Sequence, residues 1–264
     1  MDKQENKSFW NNRAETEGLK ESATSNEKYL RDLEIKTIIE YLRKFNPKKI
    51  YDIGCGNGFS TFFYAEEFAE KTFVGLDYAQ NMIASAKERL GSLHHNNLTF
   101  DVGDITNLEL ASDSADFIMT SRVFINLQNF DNQIKAVKEC SRVLKPGGHL
   151  LLLESVSQSY ENLNKYRKKY GLSELKPHAA NFYIDEDRFL NETSTLFKIE
   201  EINNFSNLYY LGSRIAYHLI NNEETSSGAN TRANEFFAEI TPEDNCGREK
   251  IYILTNTPDK SLSC

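Results

Sequence analysis

Between Lys49 and Ser60 the chain reads K-I-Y-D-I-G-C-G-N-G-F-S, and no other stretch constrains the fold as much. A short apolar run (Ile50, Tyr51, Ile53) carries one acid, Asp52, and breaks into glycines at alternate positions, Gly54, Gly56 and Gly58. Helix-compatible residues follow at once, over 59–70. A strand that ends in a glycine turn and opens a helix is a ligand-binding edge. Glycine reaches positive φ and lets a ligand approach the backbone, and the free N–H groups of the helix start face the same crevice.

The rest of the chain repeats this unit. A helix over 26–45, capped by Asn26, puts Ile35, Ile38, Ile39 and Leu42 on one face and ends at Pro47. Strands then read over 49–53, 72–76, 98–102, 115–120 and 149–154, with helices over 59–70, 79–90 and 131–143 between them. The helix over 79–90 lines up Ala79, Met82, Ile83, Ala86 and Leu90, with Gly91 as its stop. Asp131 is the expected cap of the helix over 131–143. The unbroken apolar run Leu150 to Leu153 suits a strand covered on both faces. Such alternation predicts a parallel sheet with right-handed crossovers.

After Glu154 the rhythm breaks. Residues 155–184, rich in Tyr, Lys and Asn, read as an inserted helix and loop over the sheet edge. A helix over 185–195, a strand over 197–204, a helix over 207–220 and a last strand over 250–255 follow, the two late strands pairing as a hairpin. Residues 221–247 are polar and expected to be mobile. Residues 1–25 are polar except for Phe9 and Trp10, which leaves open both a disordered tail and an ordered arm or lid.

A length of 264 residues suits one domain, divided into an N-terminal arm and helix (1–46), a binding core (47–154) and insertions with terminal strands (155–264). The net charge of −8 argues against a nucleic-acid partner, which needs a basic face. Lys165, Arg167, Lys168 and Lys169 form one basic cluster, read as a solvated helix face. No apolar stretch approaches the roughly twenty residues of a membrane span. No secretory signal follows the N-terminus, and Cys55, Cys140, Cys246 and Cys264 form no C-x-x-C, so a cytoplasmic location with free thiols is expected.

Which ligand sits at the glycine turn depends on spacing. A dinucleotide site wants G-x-G-x-x-G, and counting from Gly54 the third glycine position falls on Phe59. That disfavours a nicotinamide oxidoreductase. The D-x-G-x-G-x-G pattern instead resembles motif I of the class I S-adenosylmethionine (SAM)-dependent methyltransferases. The resemblance extends over about 50–154. Asp77, in V-G-L-D-Y-A-Q-N-M-I, matches the acid that binds both ribose hydroxyls. Asp104 and Ile105, in V-G-D-I, match the pair that holds the adenine amino group and ring edge, and R-V-L-K-P-G-G (142–148) matches the turn into the fifth strand.

The resemblance implies a Rossmann-like α/β fold: a seven-stranded, mostly parallel sheet flanked by helices, its final strand antiparallel, with acceptor-site insertions. It implies SAM as cofactor. Gly54, Gly56 and Gly58 allow close approach of the amino-acid part, and Asp77 can accept from a diol with both carboxylate oxygens. Tyr78 and Met82 are either the adenine face or plain core. Asp52 is expected to order the loop and to reach the ammonium group through water. Arg31 is either a contact to the SAM carboxylate or a surface arginine. Ser121 and Arg122 follow the fourth strand, where backbone groups touch the methionine moiety.

Thr120-Ser121-Arg122-Val123 lacks the N-P-P-Y or D-P-P-Y of DNA and protein-glutamine amino-methyltransferases. A small-molecule acceptor is therefore expected. Its elements fall on Phe9-Trp10, 155–184 and 205–247, rich in Tyr, Asn and His. These suit a polar acceptor, such as a sugar or nucleotide-linked intermediate, over a quinone or lipid. The stretch K-P-H-A-A-N-F-Y-I-D-E loosely resembles methyltransferases of surface-polysaccharide biosynthesis. An N-methyltransferase of a small amine and a non-catalytic SAM-binding module are the alternatives. If an alcohol is methylated, His178 is the first candidate for a general base, with Glu154 and Tyr183 behind it. His94-His95 lie adjacent in a loop and offer no metal set.

Overall fold

The computed structural model describes residues 2–93, 95–178, 180–218 and 245–257. Seven strands form one sheet: β1 (Lys49–Ile53), β2 (Thr72–Asp77), β3 (Leu98–Val102), β4 (Ala115–Ser121), β5 (Leu144–Ser155), β6 (Phe197–Asn203) and β7 (Glu249–Asn256), in the order β3-β2-β1-β4-β5-β7-β6. The first five pair parallel. β7 inserts antiparallel between β5 and β6, so the expected late hairpin is present with its two strands in contact.

Alternate residues of the central strands feed two cores. Ile50, Phe117, Leu151 and Leu153 face one layer, while Tyr51, Ile118, Leu150 and Leu152 face the other. Burying each such side chain contributes on the order of 2 kcal/mol. The helices α2 (Lys28–Phe45), α3 (Phe59–Glu67) and α4 (Gln80–Leu93) lie in chain order before β3. α5 (Phe130–Val143), α6 (Ser157–Lys169), α7 (Glu186–Thr193) and α8 (Asn207–Leu211) follow β4, and α8 runs into a π-helical turn, Gly212–Ala216.

Four local expectations shift. Residues 3–17 are ordered as helix α1 (Lys3–Glu17), opened by a capping box in which Asp2 and Glu5 exchange bonds with each other's backbone N–H. Its inward residues are Asn6 and Ala14, so no apolar stripe marks it in the sequence. α4 runs through Gly91, where nothing lies within 4 Å of an added Cβ. An exposed helical glycine costs only about 1 kcal/mol. Asn129, not Asp131, caps α5, its side chain accepting from Asn132 N at 2.9 Å. Helix α2 starts after Glu27, without a side-chain cap. Of the basic cluster, Lys165, Lys168 and Lys169 are exposed. Arg167 is buried and donates to the carbonyls of Ser173 and Arg214. Residues 219–244, which carry most of the expected mobile stretch, lie outside the described residues.

Candidate functional site

The chain moves outward from β1 to β3 on one side, then returns to place β4 on the other. Such a switch point opens a crevice at the carboxyl ends of the strands. The cavity found there, of about 280 Å³, is lined from β1, β2 and β4, from α1 and α2, and from the segments 104–106 and 122–128.

The glycine turn forms its floor. Gly54, Gly56 and Gly58 have φ of 81°, 56° and 74°. Gly54 and Gly56 line the cavity. An added Cβ would strike Val123 at Gly54 and Thr24 at Gly56. Gly58 does not line it. A Cβ there would meet the Phe100 ring at 2.6 Å and Ala86 at 3.2 Å, so this glycine seats α3 against the sheet.

Asp52 and Asp77 bracket the turn. Asp52 accepts from the Thr61 hydroxyl at 2.6 Å. Asp77 accepts from Gly56 N at 3.0 Å through one oxygen and from Ala79 N at 2.8 Å through the other. Burial outweighs these bonds and pushes both carboxyls up to about 6. Each Asp77 oxygen keeps a lone pair beyond its backbone bond, which is what a vicinal diol requires.

At one end of the cavity, Asp104 accepts from Thr106 N at 2.9 Å and from its hydroxyl at 2.8 Å, and pairs with Lys3 of α1. Against burial, Lys3 and Thr106 hold this carboxyl below its ordinary range. Tyr78 donates to Asn6, and Met82, Ala79 and Tyr78 pack with Trp10. Ile105 completes this apolar end. Phe9-Trp10 thus belong to an ordered arm, and Trp10 closes over the region that the sequence assigns to adenine.

At the other end, Arg31 is buried and fastens the turn between α1 and α2, donating to the carbonyls of Glu21 and Ser25. Ser121 lines the wall, and Arg122 follows it at φ 56°. Arg122 Nη1 lies 3.2 Å from Glu34 Oε1. Glu154 is fully buried behind this segment, accepting from Val123 N, Phe124 N and Ile125 N at 2.7, 2.8 and 3.3 Å. It does not line the cavity; it holds the loop after β4 in shape.

Asn126, Gln128, Asn132 and Asn181 also line the cavity; Asn126 donates to Arg122 O at 2.8 Å. Phe182 N donates to Ile125 O at 2.7 Å and Gln133 bridges the carbonyls of Phe124 and Phe182, so the excursion after α6 is stitched to the β4–α5 loop. This turns Asn181 into the cavity. His178, three residues earlier, is exposed and absent from the wall; its Nδ1 accepts from Ala180 N and its carbonyl from Asn181 N. Tyr183 packs on Tyr160 and is also absent from the wall. None of His178, Glu154 and Tyr183, the residues considered for a base, lines the cavity. The sequence reading missed Lys3, Thr24, Glu34, Tyr64, Asn126, Asn132 and Asn181 on the wall. The capping box at Asp2 and Glu5 was the one signal that could have found the first of them. Among the described residues no His, Cys, Asp and Glu cluster could hold a metal ion.

Comparison with known proteins gives the context. A family described as "Methyltransferase domain" matches residues 45–213. A demethylmenaquinone methyltransferase of Staphylococcus epidermidis is 33% identical over 138 residues, 52% of this chain and 54% of the relative. A phosphoethanolamine N-methyltransferase of Plasmodium falciparum is 28% identical over 135 residues, 51% and 49% of the two chains. The chain spans about half the length of the curated relatives it matches. Among solved structures, the N-methyltransferase NodS of Bradyrhizobium japonicum, in complex with S-adenosyl-L-homocysteine (SAH), superposes with a TM-score of 0.57 at 13% identity, covering 95% of this chain and 99% of its own. A Pyrococcus horikoshii protein gives 0.57 at 17% identity, covering 89% and 92%. These two likenesses show the fold. The family match over more than half of the chain, on a seven-stranded Rossmann-like sheet whose glycine turn lies at the switch point, makes this protein a member of the methyltransferase-domain family.

Proposed function

We propose that the enzyme methylates a polar, hydroxyl- or amine-bearing small molecule held against the amides of the cavity wall. The observation that carries this reading is that wall's composition: Asn126, Gln128, Asn132 and Asn181 bring four amide side chains to one cavity. Asn126 and Gln128 donate within their own loop, to the carbonyls of Arg122 and Asn126, which fixes their orientation, and an isoprenoid tail would offer this polar wall no hydrogen-bonding group in return.

In this reading SAM runs along the strand ends. Adenine lies between Tyr78, Met82, Ile105 and Trp10, its amino group on Asp104; the ribose diol lies on Asp77; the amino-acid part lies over Gly54 and Gly56, near Asp52, Ser121, Arg122 and Arg31. When bound, SAM supplies an electrophilic methyl, and the protein supplies orientation. Asp104 takes the adenine amino group in place of Lys3, so α1 must loosen at its start as the cofactor enters. A sugar or nucleotide-linked acceptor is the first class. The relatives' names, a quinone and phosphoethanolamine, add no support for a surface-polysaccharide intermediate. The phosphoethanolamine relative favours a small amine as the second class.

The test is SAH release from SAM against a panel of sugars, nucleotide conjugates, small amines and a soluble demethylmenaquinone analogue. Turnover with a polar acceptor is expected. Turnover with the quinone alone would overturn the reading.

A further inference from the structure

Four carboxylates line the cavity: Glu34, Asp52, Asp77 and Asp104. Three are engaged, by Thr61, by two backbone N–H groups, and by Thr106 with Lys3. Glu34 differs. Its side chain is 3% exposed, and its Oε1 has no hydrogen-bond donor. Arg122 Nη1 stands 3.2 Å from that oxygen without the alignment of a hydrogen bond. One other oxygen on the cavity wall is buried without a partner, Thr120 Oγ1 at the end of β4. Two buried oxygens that accept no hydrogen bond, on side chains that line one cavity, mark a place where a ligand can donate, with Arg122 as the ion-pair partner of the first. The wall contains no histidine among the described residues.

Glu34 sits at the β4 end of the cavity, beside Arg122, far in the site's order from Asp104. Resting on the SAM reading above, we propose that Glu34 faces the reacting centre and receives the proton of a protic acceptor, a hydroxyl or an amine. The acceptor's lone pair forms the bond to the methyl carbon. The carbon–sulfur bond breaks, and its electron pair stays on sulfur. The acceptor's proton passes to Glu34 Oε1, and the resulting acid returns it to water when products leave.

The surroundings suit the task. Burial raises the Glu34 carboxyl to about 7, Glu249 of β7 and Glu27 before α2 push the same way, and Arg122 and Arg31 oppose them. A base poised near neutrality is half available at working pH and binds the incoming proton firmly. The residue lies on α2, in Y-L-R-D-L-E-I, where a lone acid on a helix gives no sign of its role.

The test needs no acceptor. SAM carries a positive sulfonium; SAH carries a neutral sulfur and the same ammonium group. Near pH 7 a cation placed against half-protonated Glu34 drives off up to about half a proton. Calorimetry of each ligand, in buffers of different ionisation enthalpy, counts that proton. Wild-type enzyme is expected to release more with SAM than with SAH. Glu34→Gln is expected to lose the difference and to bind SAM about three- to tenfold more weakly relative to SAH, and Glu34→Asp to retain part of it. Equal release by both ligands would set Glu34 against the ammonium group and overturn the proposal. So would an unchanged difference in Glu34→Gln. If that variant does not fold, Glu34→Asp decides: a SAM–SAH difference unchanged from wild type overturns the proposal. Failure of wild-type enzyme to bind either ligand would instead remove the cofactor reading itself.

Discussion

Asp77 and Gly58 stand nineteen positions apart in one motif set and do different work. Asp77 offers both carboxylate oxygens at the cavity, and Asp77→Ala is expected to weaken SAM binding at least tenfold, about 1.4 kcal/mol, by calorimetry. Unchanged affinity would remove it from the site. Gly58 packs under Phe100 at φ 74°. Gly58→Ala is expected to cost about 1–3 kcal/mol in denaturant unfolding, from left-handed backbone and overpacking together, and to leave SAM affinity within about threefold. The acid could be read from the sequence, because its type and strand-end position name its chemistry. Which glycine meets a ligand could not, because Phe100 and Ala86 reach Gly58 only after β3 and α4 have packed.

The loop from Arg122 to Asn129 is the element that contributes most residues to the cavity wall. It holds two non-glycine residues at positive φ, Arg122 at 56° and Gln128 at 55°. Backbone of this kind persists where its surroundings over-determine it. Glu154 supplies that restraint with three accepted bonds, yet burial still raises its carboxyl to about 8, against an ordinary value of 4.5. A carboxyl raised on folding stabilises fully below pH 4.5, and the contribution fades as pH rises through 8. The melting temperature should therefore fall between pH 5 and pH 9, and the slope should be shallower in Glu154→Gln. That variant should also be less stable overall by about 1–3 kcal/mol, having one acceptor oxygen for three N–H groups. An unchanged slope would remove Glu154 as its source. In the sequence Glu154 is merely the acid that ends an apolar strand; its partners lie thirty residues away in a loop with no periodic signal.

For the whole molecule, the cavity joins parts that are far apart in sequence: α1, the glycine turn, the end of β2 and the β4–α5 loop. Ligand at one hundred times its Kd adds about 2.7 kcal/mol to stability. For a chain of this size that raises the melting temperature by roughly 5–10 °C. SAM and SAH should both give such a shift, and NAD none. A comparable shift with NAD would return the glycine turn to the dinucleotide class.

The sequence by itself determined the alternation of strands and helices, the glycine turn at Gly54 to Gly58, the acids Asp77 and Asp104 at strand ends, and through their order the resemblance to the methyltransferase family. These are local facts: a period of two or 3.6, a residue type, a spacing. Tertiary structure alone decided that α1 folds over Tyr78 and Met82, that Gly58 serves packing, that Asn181 rather than His178 lines the cavity, and that Glu34 is the cavity carboxylate with a buried oxygen that accepts no hydrogen bond. Each of these depends on which partners arrive from distant elements, and the availability of a hydrogen-bonding group is settled only when its neighbours are counted. The glycine turn is legible because its pattern is carried by adjacent residues; the rest of the cavity wall is assembled from α2, β4 and the excursion after α6, and no adjacent residues spell it.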